Sequence, residues 1–390
     1  MRIIIFDGTF KTTTFIQRLA KGLSKRHDIY ILGFNENIGA SIDNISYIGL
    51  GSNSSLFIFL KRSIVLRKLN LLKQFELLNL LIKGNKKQIK ALNLQLAIDK
   101  IQPDIIHFQW VSVLSYLEKL QLPSFTKTVL SQRGFHINVR PFIDQENMQF
   151  LKGVFPKIDG FHSVSQAIRE KSNEIYSSAS KIDQVVYSGF DYADLPVKEN
   201  SEFSNVLQIL SVGRNHWKKD YKTSLNAMSI LKTKKIAFHY TIVGVDKDEE
   251  LLFLVSDLGL MEYVSFIPTL SQQGVYQKMI ASDLLLLPSI EEGIANVCIE
   301  AMFCKLPVLS TNCGGMEELI EEEETGFLVP IRSPEEMAIK ILKIKKKESE
   351  ELYKITNKAR EKVIVIHSAK NMILDMEKLY NTIKKNNSNA

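Results

Sequence analysis

Hydrophobic positions follow two rhythms along the chain. Short apolar runs bounded by turn residues alternate with segments that place an apolar residue every third or fourth position. Arg2–Phe6 is the first such run, a strand. Thr14–Lys25 follows as an amphipathic helix with Phe15, Leu19 and Leu23 on one face, and His27–Phe34 returns as a strand. This is the β-loop-α-β opening of a doubly wound sheet. Further strands are predicted at Asp104–Phe108 and Thr128–Gln132. Phe155–Val164 leads into Ser165, a suitable N-cap for a helix over Gln166–Ile175.

The same alternation restarts after a Glu- and Ser-rich stretch, Lys198–Ser204, which reads as a linker. Strands are predicted at Val206–Val212, Phe238–Val243, Val264–Pro268, Leu284–Leu287 and Leu306–Ser310. Helices are predicted over Asp248–Leu258, from near Ala295 or Asn296, after Ser333-Pro334 with Ser at N-cap and Pro at N1, and over Ala369–Lys384. The expected organisation is α/β: a doubly wound domain over 1–197, a second over 203–365, and a helix over 366–385 crossing back to the first. The tail Asn386–Ala390 is expected to be disordered.

Composition narrows the class. The 390 residues are 45% hydrophobic and 24% charged, ordinary for a chain with full cores. Three cysteines, Cys298, Cys304 and Cys313, lack C-x-x-C spacing, so neither a disulfide framework nor a zinc site is indicated, and a reducing cytoplasm fits. The opening MRIIIFDGTF reads as a strand rather than a signal peptide, and no run long enough for a membrane span occurs. The net charge of +7 is uneven: residues 1–200 carry +9 and the remainder −2. A basic first half suits an acidic partner such as a lipid surface or a lipid diphosphate. Nucleic acid is disfavoured, because none of its recognition motifs is present. Leu56–Lys90 concentrates the charge, with nine basic residues against Glu76 alone. It reads either as a membrane-facing helical segment or as a solvated helical insertion.

The candidate chemistry lies at strand ends. PSIEEGIANVCIEAM, Pro288–Met302, carries Glu292 on a loop and Glu300 about one and a half turns into the following helix. Gly293 permits close backbone approach, and the helix start from Ile294, Ala295 and Asn296 directs free N–H groups to the same spot. Arg214 and Lys219 follow the strand-end Gly213, read as lying on the loop and the start of a helix. Asp246-Lys247-Asp248 is a D-x-D, a triplet that can bind metal with a nucleotide, but it reads better as the acidic start of a helix. His107 is read as structural. His136 and Arg133, in RGFHINVRP, are either site residues or loop surface.

The Glu292/Glu300 stretch, with its preceding Pro-Ser and following Ala-Met, resembles the E-x7-E signature of retaining GT-B glycosyltransferases of family 4. VVYSGFD at Val185–Asp191, Gly314-Gly315-Met316-Glu317-Glu318 and Thr325–Pro330 are similar to other landmarks of that family. There are departures: Ser188 replaces an Asn, Asp220 stands where Gly is usual, and the loop from Asp7 to Thr14 carries only Gly8.

The resemblance implies two Rossmann-like domains facing across a cleft, with an acceptor on the first and a nucleotide-sugar donor, UDP- or GDP-linked, on the second. It implies these roles: Arg214 and Lys219 on the departing diphosphate, Glu292 on the donor sugar, Glu300 on the ribose, Gly293–Asn296 on phosphate, and Ile267 on the base. Gly8, Thr9 and Arg133 fall on the acceptor side, and His136 joins the catalytic group. No metal and no cofactor are expected. The acceptor would be a saccharide or lipid-linked saccharide in cell-surface polysaccharide or lipopolysaccharide synthesis, handled in the cytoplasm or at the inner face of the membrane. Two other readings remain: a sugar-nucleotide epimerase of the same fold, and a non-catalytic partner subunit.

Overall fold

A computed structural model describes residues 1–10, 13–34, 41–67, 71–192, 195–199 and 202–385. The predicted disorder of 386–390, Lys68 of the basic segment, and part of the loop and linker stretches lie outside these residues. The chain divides into two units. One comprises Met1–Val164, Ile168–Phe190 and Ala369–Ala390; the other comprises Ser165–Ala167 and Asp191–Ser368.

The first unit holds seven strands: β1 Arg2–Gly8, β2 Asp28–Gly33, β3 Ile45–Gly49, β4 Ile105–Phe108, β5 Lys127–Gln132, β6 Gly160–Ser163 and β7 Asp183–Val185. They pair in parallel in the order β3-β2-β1-β4-β5-β6-β7. Ile3, Ile4, Ile5 and Phe6 are fully buried, as expected of a central strand covered by helices on both faces. β3 and β7 were not anticipated. Both are short edge strands whose residues are mostly half-exposed, so neither presents an apolar run.

The helix Ala369–Lys385 belongs to this first unit. Met372, Met376, Leu379, Tyr380 and Ile383 enter the core beside Ile3, Ile5 and Leu19. The basic stretch from Leu56 is three helices, Leu56–Arg67, Leu71–Ile82 and Lys86–Ile101. Gly84 at φ +65° breaks the second from the third, and the Asn85 side chain caps the third by accepting from the Gln88 amide at 3.1 Å.

The second unit holds β8 Leu207–Val212, β9 Phe238–Val243, β10 Val264–Ile267, β11 Leu284–Leu287, β12 Val308–Thr311 and β13 Phe327–Val329. All pair in parallel, in the order β10-β9-β8-β11-β12-β13. β12 starts two residues later than predicted, because the Leu306 amide closes the preceding helix on Ala301 and Pro307 has no N–H to give. Ser333 sits at N-cap of the helix Pro334–Lys345 but does not cap it; its hydroxyl donates to the Ile331 carbonyl instead. Lys340 is paired with Glu322, and Lys347 with Glu323 and Glu351.

Each sheet reverses its strand order once. In the first unit the reversal lies between β1 and β4, and in the second between β8 and β11. In open parallel sheets the crevice beyond the carboxyl ends of such neighbouring strands is where ligands sit.

Candidate functional site

In the second unit, the loops leaving β8 and β11 meet at the reversal point. The Ile290 amide donates to the Lys218 carbonyl at 2.8 Å, tying the loops together. Two adjacent ion pairs then cross between them: Lys218 to Glu291 at 3.1 Å, and Lys219 to Glu292 at 2.5 Å. The Ser289 hydroxyl donates to the same Glu292 oxygen at 2.9 Å. Glu292 is thereby oriented from two sides while remaining partly exposed, as a group that meets a ligand must be.

Lys219 does not begin a helix. It closes a short 3-10 turn, Trp217–Lys219, and the helix Tyr221–Thr233 starts beyond it. Between them Asp220 adopts φ +44°, ψ +47°, the left-handed conformation that favours glycine. This explains why a glycine would be expected there. Asp220 holds the position by local bonds: its carboxylate accepts from the Thr223 hydroxyl at 2.6 Å and its carbonyl from the Thr223 amide at 3.0 Å. Gly213 anchors the same turn through its carbonyl, which accepts from the Tyr221 hydroxyl at 2.7 Å. Arg214 is exposed beside it.

Glu300 lies in the helix Asn296–Phe303, where its carboxylate accepts from the Tyr276 hydroxyl at 3.2 Å and Gln272 at 3.1 Å. That helix has Ala295 at N-cap, which has no side chain to cap it; the Ala295 amide itself donates to the Met316 sulfur at 3.4 Å and the Cys298 amide to the Ala295 carbonyl at 3.0 Å. An incoming anion can take the capping place, with the helix dipole in its favour.

The loop carrying Glu292 and Gly293 rests on Gly314 and Gly315. A Cβ on Gly314, which has φ +53°, would lie 1.8 Å from the Glu292 carbonyl oxygen; one on Gly315 would lie 2.1 Å from that of Gly293. The Gly-Gly pair is therefore the seat of this loop, a role that the sequence reading did not give it. It also missed Ser289, Tyr276 and Gln272, which carry no motif of their own.

Ile267 ends the edge strand β10. Its carbonyl accepts from the Gly244 amide at 2.8 Å, so it faces β9. By the alternation of a parallel ladder, the groups turned to the open edge are those of Phe266. Asp248 proves to be an N-cap: it accepts from the Leu251 amide at 3.0 Å and from the Asn215 side chain. The three cysteines are buried and unpaired in disulfides.

In the first unit, Gly8 and Thr9 leave β1 at that sheet's reversal point, and Arg133 follows β5. Arg133 stacks its guanidinium on the Phe15 ring at 3.8 Å and donates to the Gln109 side chain at 3.1 Å and the Ser131 hydroxyl at 3.3 Å. Burial pushes its pKa down to about 9, against the pull of Asp7. Asp7 is pushed up to about 6 by burial, which outweighs the Thr9 amide bonded to it at 2.8 Å and the charge of Arg133. Asp7 and Gln109 are thus part of the setting of Arg133, and only the polar end of an otherwise apolar strand hinted at Asp7. His136 sits in the four-residue helix Phe135–Asn138, half-buried beside Phe135. His107 is wholly buried and hydrogen-bonded, a structural residue. Among the described residues no helix is long and apolar enough to cross a membrane.

Known proteins resemble this chain in part of its sequence and in its fold. Residues 197–362 match the family described as Glycosyl transferases group 1. An amylovoran biosynthesis glycosyltransferase of Erwinia amylovora is 27% identical over 254 residues, 63% of this chain and 62% of that protein. The chain therefore spans less than two thirds of that relative. Sucrose-phosphate synthase from Thermosynechococcus elongatus superposes with a TM-score of 0.77 at 15% identity, covering 98% of this chain and 99% of the other. The Anabaena protein HepE, solved in complex with UDP and glucose, superposes with a TM-score of 0.73 at 17% identity, covering 98% and 100%. The fold is GT-B, built from two Rossmann-like domains.

Proposed function

From the premise that residues 197–362 form a glycosyl transferases group 1 domain, we propose that the protein is a retaining, metal-independent glycosyltransferase. It moves a sugar from a nucleotide-sugar donor to a saccharide or lipid-linked acceptor in cell-surface polysaccharide synthesis. The observation that carries this reading is the Lys219–Glu292 pair, held at the sheet reversal beside a helix start that no side chain caps. Such a place offers what a sugar diphosphate needs: cations and amides for phosphate, and a carboxylate for sugar hydroxyls.

As the sugar–oxygen bond breaks, negative charge grows on the leaving diphosphate. Lys219, Arg214 and the amides from Gly293 to Asn296 favour that state over the ground state. Glu292 accepts from donor sugar hydroxyls and Glu300 from ribose hydroxyls. UDP is favoured as the carrier because the structurally similar HepE was solved with UDP and glucose. The relative named for amylovoran biosynthesis supports the polysaccharide setting.

The experiment is a thermal-shift screen of nucleotide sugars followed by product analysis with and without an oligosaccharide acceptor. A donor at 100 times its Kd stabilises by about 2.7 kcal/mol, an easily read rise in Tm. A glycosylated acceptor with retained anomeric configuration is expected. An epimerised nucleotide sugar without acceptor points to the isomerase, and no stabilisation by any donor points to a non-catalytic subunit.

A further inference from the structure

The helices Leu56–Arg67 and Leu71–Ile82 carry two features that glycosyl transfer does not use. The first is a row of uncovered apolar side chains. Leu71, Phe75, Leu78 and Ile82 fall within an arc of about 60° on one helix. Leu71 is 84% exposed and Phe75 73%, while Leu77 and Leu80 of the same helix are buried. Leu72 and, on the neighbouring helix, Phe57 and Val65 extend the patch. A helix apolar on its outward side as well as its inward one is built for a second apolar phase.

The second feature is a cavity of about 750 Å³ beneath these helices, lined by Arg62, Arg67, Lys73 and Lys100, with Asp99 and Val65. Arg67 is only 2% exposed. Its Nη1 is fixed by the Ser63 carbonyl at 2.9 Å and the Asn93 side chain at 2.6 Å, and Asn93 is itself held by the Leu50 carbonyl and Ser63. Its Nε and Nη2 are buried with no hydrogen-bond partner among the described residues. A clamped guanidinium with two unanswered donors is a costly arrangement in the free protein and a prepared one for an oxyanion.

We propose that this cavity binds the phosphate headgroup of an anionic lipid, with Leu71, Phe75, Leu78 and Ile82 set against the acyl region of the bilayer. Charge decides for a lipid over a protein partner. Lys61, Arg62, Lys73, Lys83, Lys86 and Lys87 flank or interrupt the apolar row in sequence, and Glu76 is the one acidic residue from Leu56 to Lys90. The guanidinium then donates in bidentate fashion to the phosphate. Phosphatidylcholine carries a phosphate too, but its choline cation cancels the net negative charge that draws the neighbouring lysines and arginines to the surface. This surface lies in the first unit, and its occupancy requires no sugar nucleotide.

The test is sedimentation of the full chain with vesicles of phosphatidylcholine alone and of phosphatidylcholine with phosphatidylglycerol, at low and high salt, with no donor present. Binding to the anionic vesicles only, weakened by salt, is expected. Arg62→Gln and Lys73→Gln should each weaken it about fivefold, the equivalent of about 1 kcal/mol per cation. Leu71→Ser with Phe75→Ser, both on exposed positions, should weaken it at least tenfold with an unchanged Tm. Equal binding to both vesicle types, no binding, or binding indifferent to both sets of variants overturns the proposal. So does tight binding of inorganic phosphate, sensitive to Arg62→Gln, in a protein that ignores vesicles: the cavity would then serve a soluble phosphate. None of these readouts depends on glycosyl transfer.

Discussion

Lys219 and Glu292, 73 positions apart in sequence, meet at 2.5 Å across the two loops that leave β8 and β11. The carboxylate of Glu292 occupies the ammonium that a diphosphate would also seek. Removing its charge therefore frees Lys219 for phosphate while depriving a sugar of its acceptor. Glu292→Gln is expected to keep or tighten the binding of free nucleoside diphosphate while losing most transfer. Calorimetry with UDP beside initial-rate kinetics tests this. Parallel loss of both would place Glu292 away from the sugar.

Arg214 and Lys219 are expected to act on turnover more than on donor capture. Removing one preorganised donor of this kind lowers turnover 100- to 1000-fold, about 3 kcal/mol. A fall of that order is predicted for Arg214→Ala and for Lys219→Ala. On the proposed reading both serve one diphosphate, so the double variant should lose less than the product of the single losses. Near-normal kcat with a raised donor KM in both single variants would make the pair a ground-state anchor.

Transfer should survive chelation. The Asp248 carboxylate is committed to the Leu251 amide and to Asn215, so it serves as a helix cap. Rates measured in EDTA and after addition of magnesium or manganese should agree. Abolition by EDTA with restoration by metal would overturn this.

Gly314→Ala is expected to disrupt the site from behind. The new methyl group meets the Glu292 carbonyl oxygen at 1.8 Å, and the backbone at φ +53° is strained for any side chain. The loop must shift, at a cost of about 1–3 kcal/mol in stability. Donor affinity and Tm should fall together. An unchanged crystal structure of the variant with normal donor binding would refute the seating role.

What the chain discloses in advance follows from how local the cause is. Central strands such as Arg2–Phe6 and Leu284–Leu287 announce themselves because both faces are buried and their runs are continuous. The edge strands Ile45–Gly49 and Asp183–Val185 do not, since half-exposed residues leave no run to see. That Glu292 lies on a loop and Glu300 in the following helix was legible from the strand-loop-helix pattern. Their partners Ser289, Tyr276 and Gln272 were not, because tertiary contact alone selects them. That the Ile267 carbonyl is bonded to Gly244 was not legible either, because which side of β10 is paired depends on β9. The departure at Asp220 was visible, but the positive φ that gives it meaning was not.

One chain of hydrogen bonds in the first unit's core links stability to pH. The Val186 carbonyl can only accept, so His162 Nε2, at 3.0 Å, carries a proton. His162 Nδ1 then accepts from the Ser131 hydroxyl at 2.8 Å, His107 Nε2 donates to Ser131 at 2.8 Å, and His107 Nδ1 accepts from the Tyr380 hydroxyl at 2.7 Å. Both rings are neutral, and every proton in the chain is assigned. Burial and the neighbouring Arg133 charge push His162 down to about 3, and burial, with the Arg133 charge adding to it, holds His107 well below its ordinary value. In the unfolded chain both take up a proton near pH 6.5. Below that pH the unfolded state binds more protons than the folded one, so stability falls with pH. The contribution is fully present above about pH 6.5 and declines by up to about 1.4 kcal/mol per pH unit for each ring as pH drops below it, for His162 down toward about 3. Denaturation midpoints between pH 7 and pH 4 should trace this slope. His162→Gln, which keeps a hydrogen-bonding side chain but cannot take up a proton in this range, should start less stable at pH 7 and lose less on acidification. A slope equal to that of the unaltered protein would remove His162 from the account.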